Sequence, residues 1–408
     1  MTTLSDDQVN RLLAARRPLR LLVTGGGTDD SARSALAAAL AADHRLGDLG
    51  TGLRTLWVGT PGGPEERIAS AEGIAFSPVS AGTFRCGRTS SKTPSPHDAR
   101  TLFGLPRAVA RARSVISRFR PDAVLSTGGH TALPVGIAAR LCGRPLVVHE
   151  QTGRPGPAER VLTGAATRVS VSEAATLDLL PPRARRTAVC TGTPVRPDLP
   201  YGSAERALKG PGFEDFDPGL PTVYVTGSPR GSARIDTLVQ QDLAWLLARA
   251  NVIHRCGGPA LAPHRSHGLP QDLAGRYLVT DFVHFDLPDV LALADLVVCE
   301  GGASTNAELA ALGLPSVQVP PASAAGDARA HHALRAHGAG GAIALCAGGS
   351  PAGDLRAALS PLLDDADARA SMGHRARVLA RPRAAQELAD LLLYAMRPDP
   401  GRLPLELF

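Results

Sequence analysis

Lysine is almost missing from this 408-residue chain: Lys92 and Lys209 are the only two among 44 basic residues, the rest being arginine. With 43 glycines and 34 prolines beside it, that bias reads as GC-rich coding as much as selection for an anionic partner. The net charge of +6 therefore says little by itself about partners. Aromatic residues make up only 4%, no basic stretch is interleaved with them, and nucleic acid is not an expected partner. Cysteine is sparse too. Cys86, Cys142, Cys190, Cys256, Cys299 and Cys346 form no C-x-x-C pair, which excludes the usual zinc and disulfide frameworks. No apolar run is long enough to span a bilayer. The polar, acidic start around Ser5, Asp6 and Asp7 is unlike a cleaved leader. A cytoplasmic protein, soluble or peripheral at the inner face of the cell membrane, is the expectation. GxxxxGK[ST] does not occur, which argues against a P-loop nucleotidase.

What is present is a pattern that occurs twice. A chain of this length exceeds the size at which one core keeps growing, so two domains are expected. Each half opens with an apolar strand running into a glycine turn: Leu19 to Val23 into Gly25-Gly26-Gly27, and Thr222 to Val225 into Thr226-Gly227-Ser228. Each repeats the device later, Ala123 to Thr127 into Gly128-Gly129 and Asp295 to Cys299 into Gly301-Gly302. A further strand follows in both, Pro145 to Val148 and Ser316 to Val319. Strand, turn and helix in this order predict an α/β fold of two doubly wound, Rossmann-like domains facing a central cleft. The expected layout is a first domain over 1–199, a Gly/Pro-rich linker over 200–221, a second domain over 222–385 and a tail over 386–408, with the helical stretch Pro361 to Met396 a candidate to pack back on the first domain.

Glycine turns before helices let bare amides meet a phosphate, where the helix N-terminus adds positive potential. The first turn is followed by Asp29 and Asp30, which suit helix capping but repel a pyrophosphate. It does not follow GxGxxG, which disfavours a dinucleotide dehydrogenase. The second half offers more. Gly302-Ala303-Ser304-Thr305 would open a helix toward a diphosphate, and Glu308 one turn later would accept bonds from a ribose diol.

At this point the chain resembles the MurG-type N-acetylglucosaminyltransferases, glycosyltransferase family 28, which make the lipid-linked disaccharide of peptidoglycan. The resemblance runs over roughly residues 19 to 380. It rests on Ser126-Thr127-Gly128-Gly129-His130, Pro145 to Gln151 with its His149-Glu150-Gln151, Gly192-Thr193-Pro194-Val195-Arg196, Thr226-Gly227-Ser228, Asp281-Phe282-Val283, the glycine and Glu308 segment, and Gly313-Leu314-Pro315. It implies a GT-B architecture and an inverting transfer from a UDP-sugar, with no metal or other cofactor. By resemblance, the backbone near Val283 reads the uracil. Gly227, Ser228, Gly302, Ala303, Ser304 and Thr305 hold the diphosphate, Glu308 the ribose, and Arg196 faces the nucleotide from the linker side. The first domain takes the acceptor with Gly26, Gly27, Thr28, Gly128, Gly129, His149, Gln151 and Thr152.

Three positions depart from the family. Its first loop ends in a glycine-glycine-histidine that meets a lipid diphosphate; here Asp29-Asp30-Ser31 stands there. Thr152 replaces the asparagine after the H-E-Q motif, and the sugar-reading D-x-Q is Asp327-Ala328-Arg329. The acceptor is therefore left open between a lipid-phosphate-like molecule and a specialised metabolite of the antibiotic type. A guanidinium at 329 suits a carboxylate, so the donor is left open between an N-acetylhexosamine and a uronic acid. The base that deprotonates the acceptor hydroxyl is expected at Asp30 or Asp29, with His130, His149 and Glu150 as second candidates. Arginines flanking apolar residues from Leu102 to Arg120 are compatible with docking on an anionic membrane or with core packing. The competing readings are a UDP-sugar epimerase, which shares the twin-domain architecture, and a non-catalytic partner subunit.

Overall fold

The structure, a computed structural model, describes residues 17–26, 28–79, 96–129, 131–227, 233–256, 269–280, 287–321, 328–346 and 354–396. These form two compact units, one reaching to Pro197 and taking in the chain from Arg383 onward, the other covering Asp198–Pro382.

In the first unit seven strands make one parallel sheet: β1 (Leu19–Thr24), β2 (Leu53–Gly59), β3 (Ala75–Pro78), β4 (Ala123–Ser126), β5 (Leu146–Glu150), β6 (Arg168–Val171) and β7 (Ala188–Cys190). Their order is β3-β2-β1-β4-β5-β6-β7. Between them run α1 (Asp29–Asp48), α2 (Pro64–Ala71), α3 (Pro96–Phe119), α4 (Ala132–Leu141) and α5 (Pro157–Ala165). Leu21, Val23, Val124 and Leu125 are completely buried, because helices cover both faces of a parallel sheet and leave no polar side for alternation. Strand order reverses between β1 and β4, so the C-terminal ends of those two strands flank the switch point where doubly wound sheets bind ligands.

The second unit repeats the plan with six parallel strands: β8 (Thr222–Thr226), β9 (Asn251–Arg255), β10 (Tyr277–Thr280), β11 (Leu296–Cys299), β12 (Ser316–Gln318) and β13 (Ala342–Ala344), ordered β10-β9-β8-β11-β12-β13. Its switch point lies between β8 and β11. The helices that matter below are α6 (Ala204–Leu208), α7 (Ala233–Gln241), α8 (Leu287–Leu293), α9 (Ala303–Leu312) and α10 (Ala328–Gly338).

Two boundaries differ from those expected. The segment 200–221 is not a free connection: Asp289 of α8 accepts bonds from Ser203 N at 2.7 Å and from Arg206 Nη2 at 2.6 Å. Those bonds tie α6 to the second unit, and the division falls at Pro197. At the other end, the expected tail begins inside a helix, α11 (Ala384–Ala395). Its Leu388, Leu391, Leu392 and Leu393 are buried in the cluster that holds Leu21, Val23 and Leu36 of the first unit. Full burial of one such leucine contributes about 1.5–3 kcal/mol. The part-exposed Arg45–Asp390 pair beside it, at 3.1 Å, adds only about 0–1 kcal/mol, so apolar packing is what returns α11 to the first unit.

One face of α3 packs into the core. Ala108, Ala112 and Ile116 are buried in the core cluster with Val124 and Val135, while Arg107, Arg111, Arg113 and Arg118 are exposed. Among the described residues no helix is long and apolar enough to cross a membrane.

Candidate active site

At the first switch point, the two turns are built backbone against backbone. A Cβ on Gly129, whose φ is +90°, would fall 1.9 Å from the carbonyl oxygen of Gly26, and one on Gly25 would fall 1.9 Å from Thr127 Oγ1. Only glycine fits either position. Thr127 N donates to Thr24 O at 3.0 Å and Thr127 Oγ1 to Ser31 O at 2.8 Å, locking the β4 turn to the start of α1. Gly128, at φ +91°, has open space around it.

Thr28 caps α1. Thr28 has extended dihedrals and its hydroxyl accepts from Ser31 N at 3.3 Å. Asp30 is half-buried in the first turn of the same helix.

The His149-Glu150-Gln151 run divides into three jobs. His149 is buried between two hydroxyls, Nδ1 2.9 Å from Ser170 Oγ and Nε2 3.2 Å from Ser172 Oγ. Burial pushes its imidazole down to about 3, so it is neutral at physiological pH with both nitrogens engaged. This places it as a link between β5 and β6, not as an acceptor-binding or proton-accepting group. Gln151, also buried, accepts from Ser34 Oγ at 2.8 Å and donates to Ser31 Oγ at 3.0 Å, which pins the first turn of α1 to the end of β5. Glu150 accepts from Thr152 N at 2.7 Å and from the Thr152 hydroxyl. Thr152 thus braces a buried carboxylate instead of presenting an amide.

Because the unfolded chain protonates His149 near its ordinary value of 6.5 and the folded chain only near 3, the unfolded state binds more protons between those values. Stability is therefore lost as pH falls through that window. His149→Asn keeps a polar group between the serines and is expected to flatten this loss. Urea midpoints at about pH 7 and about pH 5 measure it, and an unchanged slope in the variant would exclude His149 as its source.

One residue of this edge is absent from the sequence reading. Glu65 of α2 is fully buried, takes the Thr60 N–H at 2.8 Å, and its carboxylate fills the space that Cβ atoms on Gly26, Gly59 and Gly63 would need. Gly26 therefore has a steric reason to be glycine, independent of any acceptor. The clue in the sequence was the run of glycines around Pro64-Glu65.

At the second switch point, Gly227 leaves β8 while Gly301 and Gly302 leave β11. Gly301, at φ +79°, has Gln318 Oε1 and Ala333 Cβ of α10 where its own Cβ would go, at 2.6 and 2.9 Å. Gly302 is the N-cap of α9 in extended conformation and carries no side chain to occupy the first amides. Ala303, Ser304 and Thr305 form that first turn, and Glu308, 3% exposed, lies one turn on. A helix start uncapped by its own N-cap residue, beside a switch point, is suited to a diphosphate. Arg255, at the end of β9 and buried, reaches Thr226 Oγ1 at 3.4 Å. It puts a cation next to the β8 turn that sequence reading overlooked.

Two expected donor residues are held otherwise than foreseen. Arg196 is buried, with its Nη1 3.7 Å from a Glu72 carboxylate oxygen. Arg329, in the first turn of α10, donates to Glu300 Oε2 at 2.8 Å. Gly27, His130, Ser228, Val283 and Asp327 lie outside the described residues, as does the side chain of Asp29.

The description "Glycosyltransferase family 28 N-terminal domain" matches residues 21–171, and "Glycosyltransferase family 28 C-terminal domain" matches residues 222–388. The chain belongs to glycosyltransferase family 28. It is similar to a Pseudomonas putida protein, "UDP-N-acetylglucosamine--N-acetylmuramyl-(pentapeptide) pyrophosphoryl-undecaprenol N-acetylglucosamine transferase", with 32% identity over 378 residues, 91% of this chain and 97% of the relative. Among solved structures it shares its fold with the MurG of Acinetobacter baumannii, at TM-score 0.62 and 23% identity, covering 92% of this chain and 99% of the other. A putative UDP-N-acetylglucosamine 2-epimerase from Listeria monocytogenes has the same fold at TM-score 0.64 and 15% identity, covering 95% and 98%. Fold alone does not separate transferase from epimerase; the family match does, and the GT-B architecture and glycosyltransferase activity follow from it.

Proposed function

We propose that this family 28 enzyme transfers an N-acetylhexosamine, with inversion, from a UDP-sugar held at the second unit to a hydroxyl of an acceptor taken by the first. The observation that carries this is the uncapped start of α9 with Glu308 behind it, at the switch point of a sheet whose family match is to transferases. Diphosphate departure needs a positive environment, which the α9 amides, its dipole and Arg255 supply without a metal. Asp30, a carboxylate at the first switch point, takes the acceptor proton; burial makes the His149 imidazole a weak base, and Glu150 is buried against Thr152.

A uronate donor is disfavoured because the guanidinium that motivated it is already paired with Glu300. The Pseudomonas putida relative's name points to UDP-N-acetylglucosamine. That relative's name also gives a pyrophosphoryl-undecaprenol acceptor. The aspartates of the first turn favour a less anionic one here, lipid-linked or small. Peripheral contact with the inner face of the membrane belongs to the lipid-linked case.

A thermal-shift screen of nucleoside diphosphate sugars on the full chain tests the donor, because a ligand of the native state alone raises apparent stability. UDP-N-acetylglucosamine is expected to raise Tm more than ADP- or GDP-sugars. Donor conversion to a C2 epimer without acceptor would instead support the epimerase reading. Binding with no turnover on any acceptor would support a partner subunit.

A further inference from the structure

Glu300 places a carboxylate two residues before the N-cap of α9, at the end of the helix that is otherwise suited to phosphate. An anion there is attracted by the helix dipole, so a bare Glu300 would compete with a diphosphate for the same amides and repel it. It is not bare. Gly301 lets α10 come close, with Ala333 seated where its Cβ would be, and this approach carries Arg329 to within 2.8 Å of Glu300 Oε2. The pair is only partly shielded, with side-chain exposures of 33% for Arg329 and 12% for Glu300. Glu300 stands two residues from the α9 N-cap in the chain and the pair is not fully buried, so its charges can act on an anion docked at that helix start.

We propose that Arg329 is a positioning residue that neutralises Glu300 and so keeps the α9 start open to a nucleoside diphosphate, which makes the Glu300–Arg329 pair, rather than either residue alone, the determinant of donor charge. The pair rests on the donor-site reading above. It selects for a sugar without a carboxylate, because a uronate would compete with Glu300 for Arg329 and bring a second anion beside the first.

The test is a double-variant cycle on the full chain: wild type, Arg329→Gln, Glu300→Gln and the double variant, with UDP affinity by calorimetry and donor KM and kcat by turnover. Arg329→Gln is expected to raise UDP Kd and donor KM about 10-fold at low salt with kcat little changed, the loss shrinking as salt screens the exposed charge. Adding Glu300→Gln is expected to restore both. Arg329→Lys, which keeps the charge, is expected to stay near wild type and guards against a folding defect. A double variant as weak as Arg329→Gln would overturn the proposal, since Arg329 would then touch the donor directly. An unaffected Arg329→Gln would overturn it as well. A wild type that binds no UDP would sink the donor-site reading itself, and the pair with it.

Discussion

Asp30→Asn is expected to lower kcat about 10²-fold or more at nearly unchanged donor affinity, the usual scale for loss of a general base. The expectation rests on what the neighbours of Asp30 do. Thr28 caps α1, His149 is neutral and bonded through both nitrogens, and Glu150 is tied to Thr152. Asp30 itself is a half-buried carboxylate in the first turn of α1, at the first switch point. The folding cost of the substitution is small, since an acidic group near a helix start contributes only about 0.3–1 kcal/mol. A fall in kcat with an unchanged melting temperature would thus report chemistry. Full activity in both Asp30→Asn and Asp29→Asn would place the base elsewhere.

The second large effect belongs to Glu308. The residue is 3% exposed on α9, one turn from the amides proposed to meet the diphosphate, and a carboxylate can accept two bonds from a vicinal diol. Glu308→Ala should weaken UDP binding by about 1–3 kcal/mol by leaving the ribose hydroxyls unpaired, or roughly 5- to 150-fold in Kd. Comparison with a 2′,3′-dideoxyribose analogue separates recognition from folding. The wild type should lose with the analogue about what the variant loses with UDP, and the variant should be indifferent to the change. Equal UDP affinity in wild type and variant would remove Glu308 from the site.

The duplicated architecture was legible because buried parallel strands leave a signature that depends on few residues. Apolar runs such as Leu19 to Val23 and Asp295 to Cys299 end in glycines, and the strands observed, Leu19–Thr24 and Leu296–Cys299, differ from them by one residue at an end. The α9 start was legible for the same reason: Gly302 must precede a helix for its amides to be bare. What stayed hidden depends on contacts between distant segments. Nothing in the apolar pattern of Leu388 to Leu393 says which unit those leucines join; that is decided by the surface they meet, around Leu21 and Val23. Arg329 looked like an unpaired cation because Glu300 lies 29 residues before it, and only the close approach of α10 to Gly301 brings them together. Glu65 was missed because a carboxylate in the first turn of a helix reads as solvated, whereas three surrounding glycines leave room to bury it. His149 seemed a candidate base until its two serine partners, on the neighbouring strand and just past its end, were in place.

Transfer of label from UDP-[¹⁴C]N-acetylglucosamine to a panel of lipid-phosphate, polyol and amino-sugar acceptors, run with the full chain in excess EDTA, tests the central claim most directly. Label is predicted to move to an acceptor with inversion at the anomeric carbon, to need that acceptor, and to persist in the chelator. Donor consumed with no acceptor labelled, or transfer abolished by EDTA and restored by a divalent metal, would contradict it.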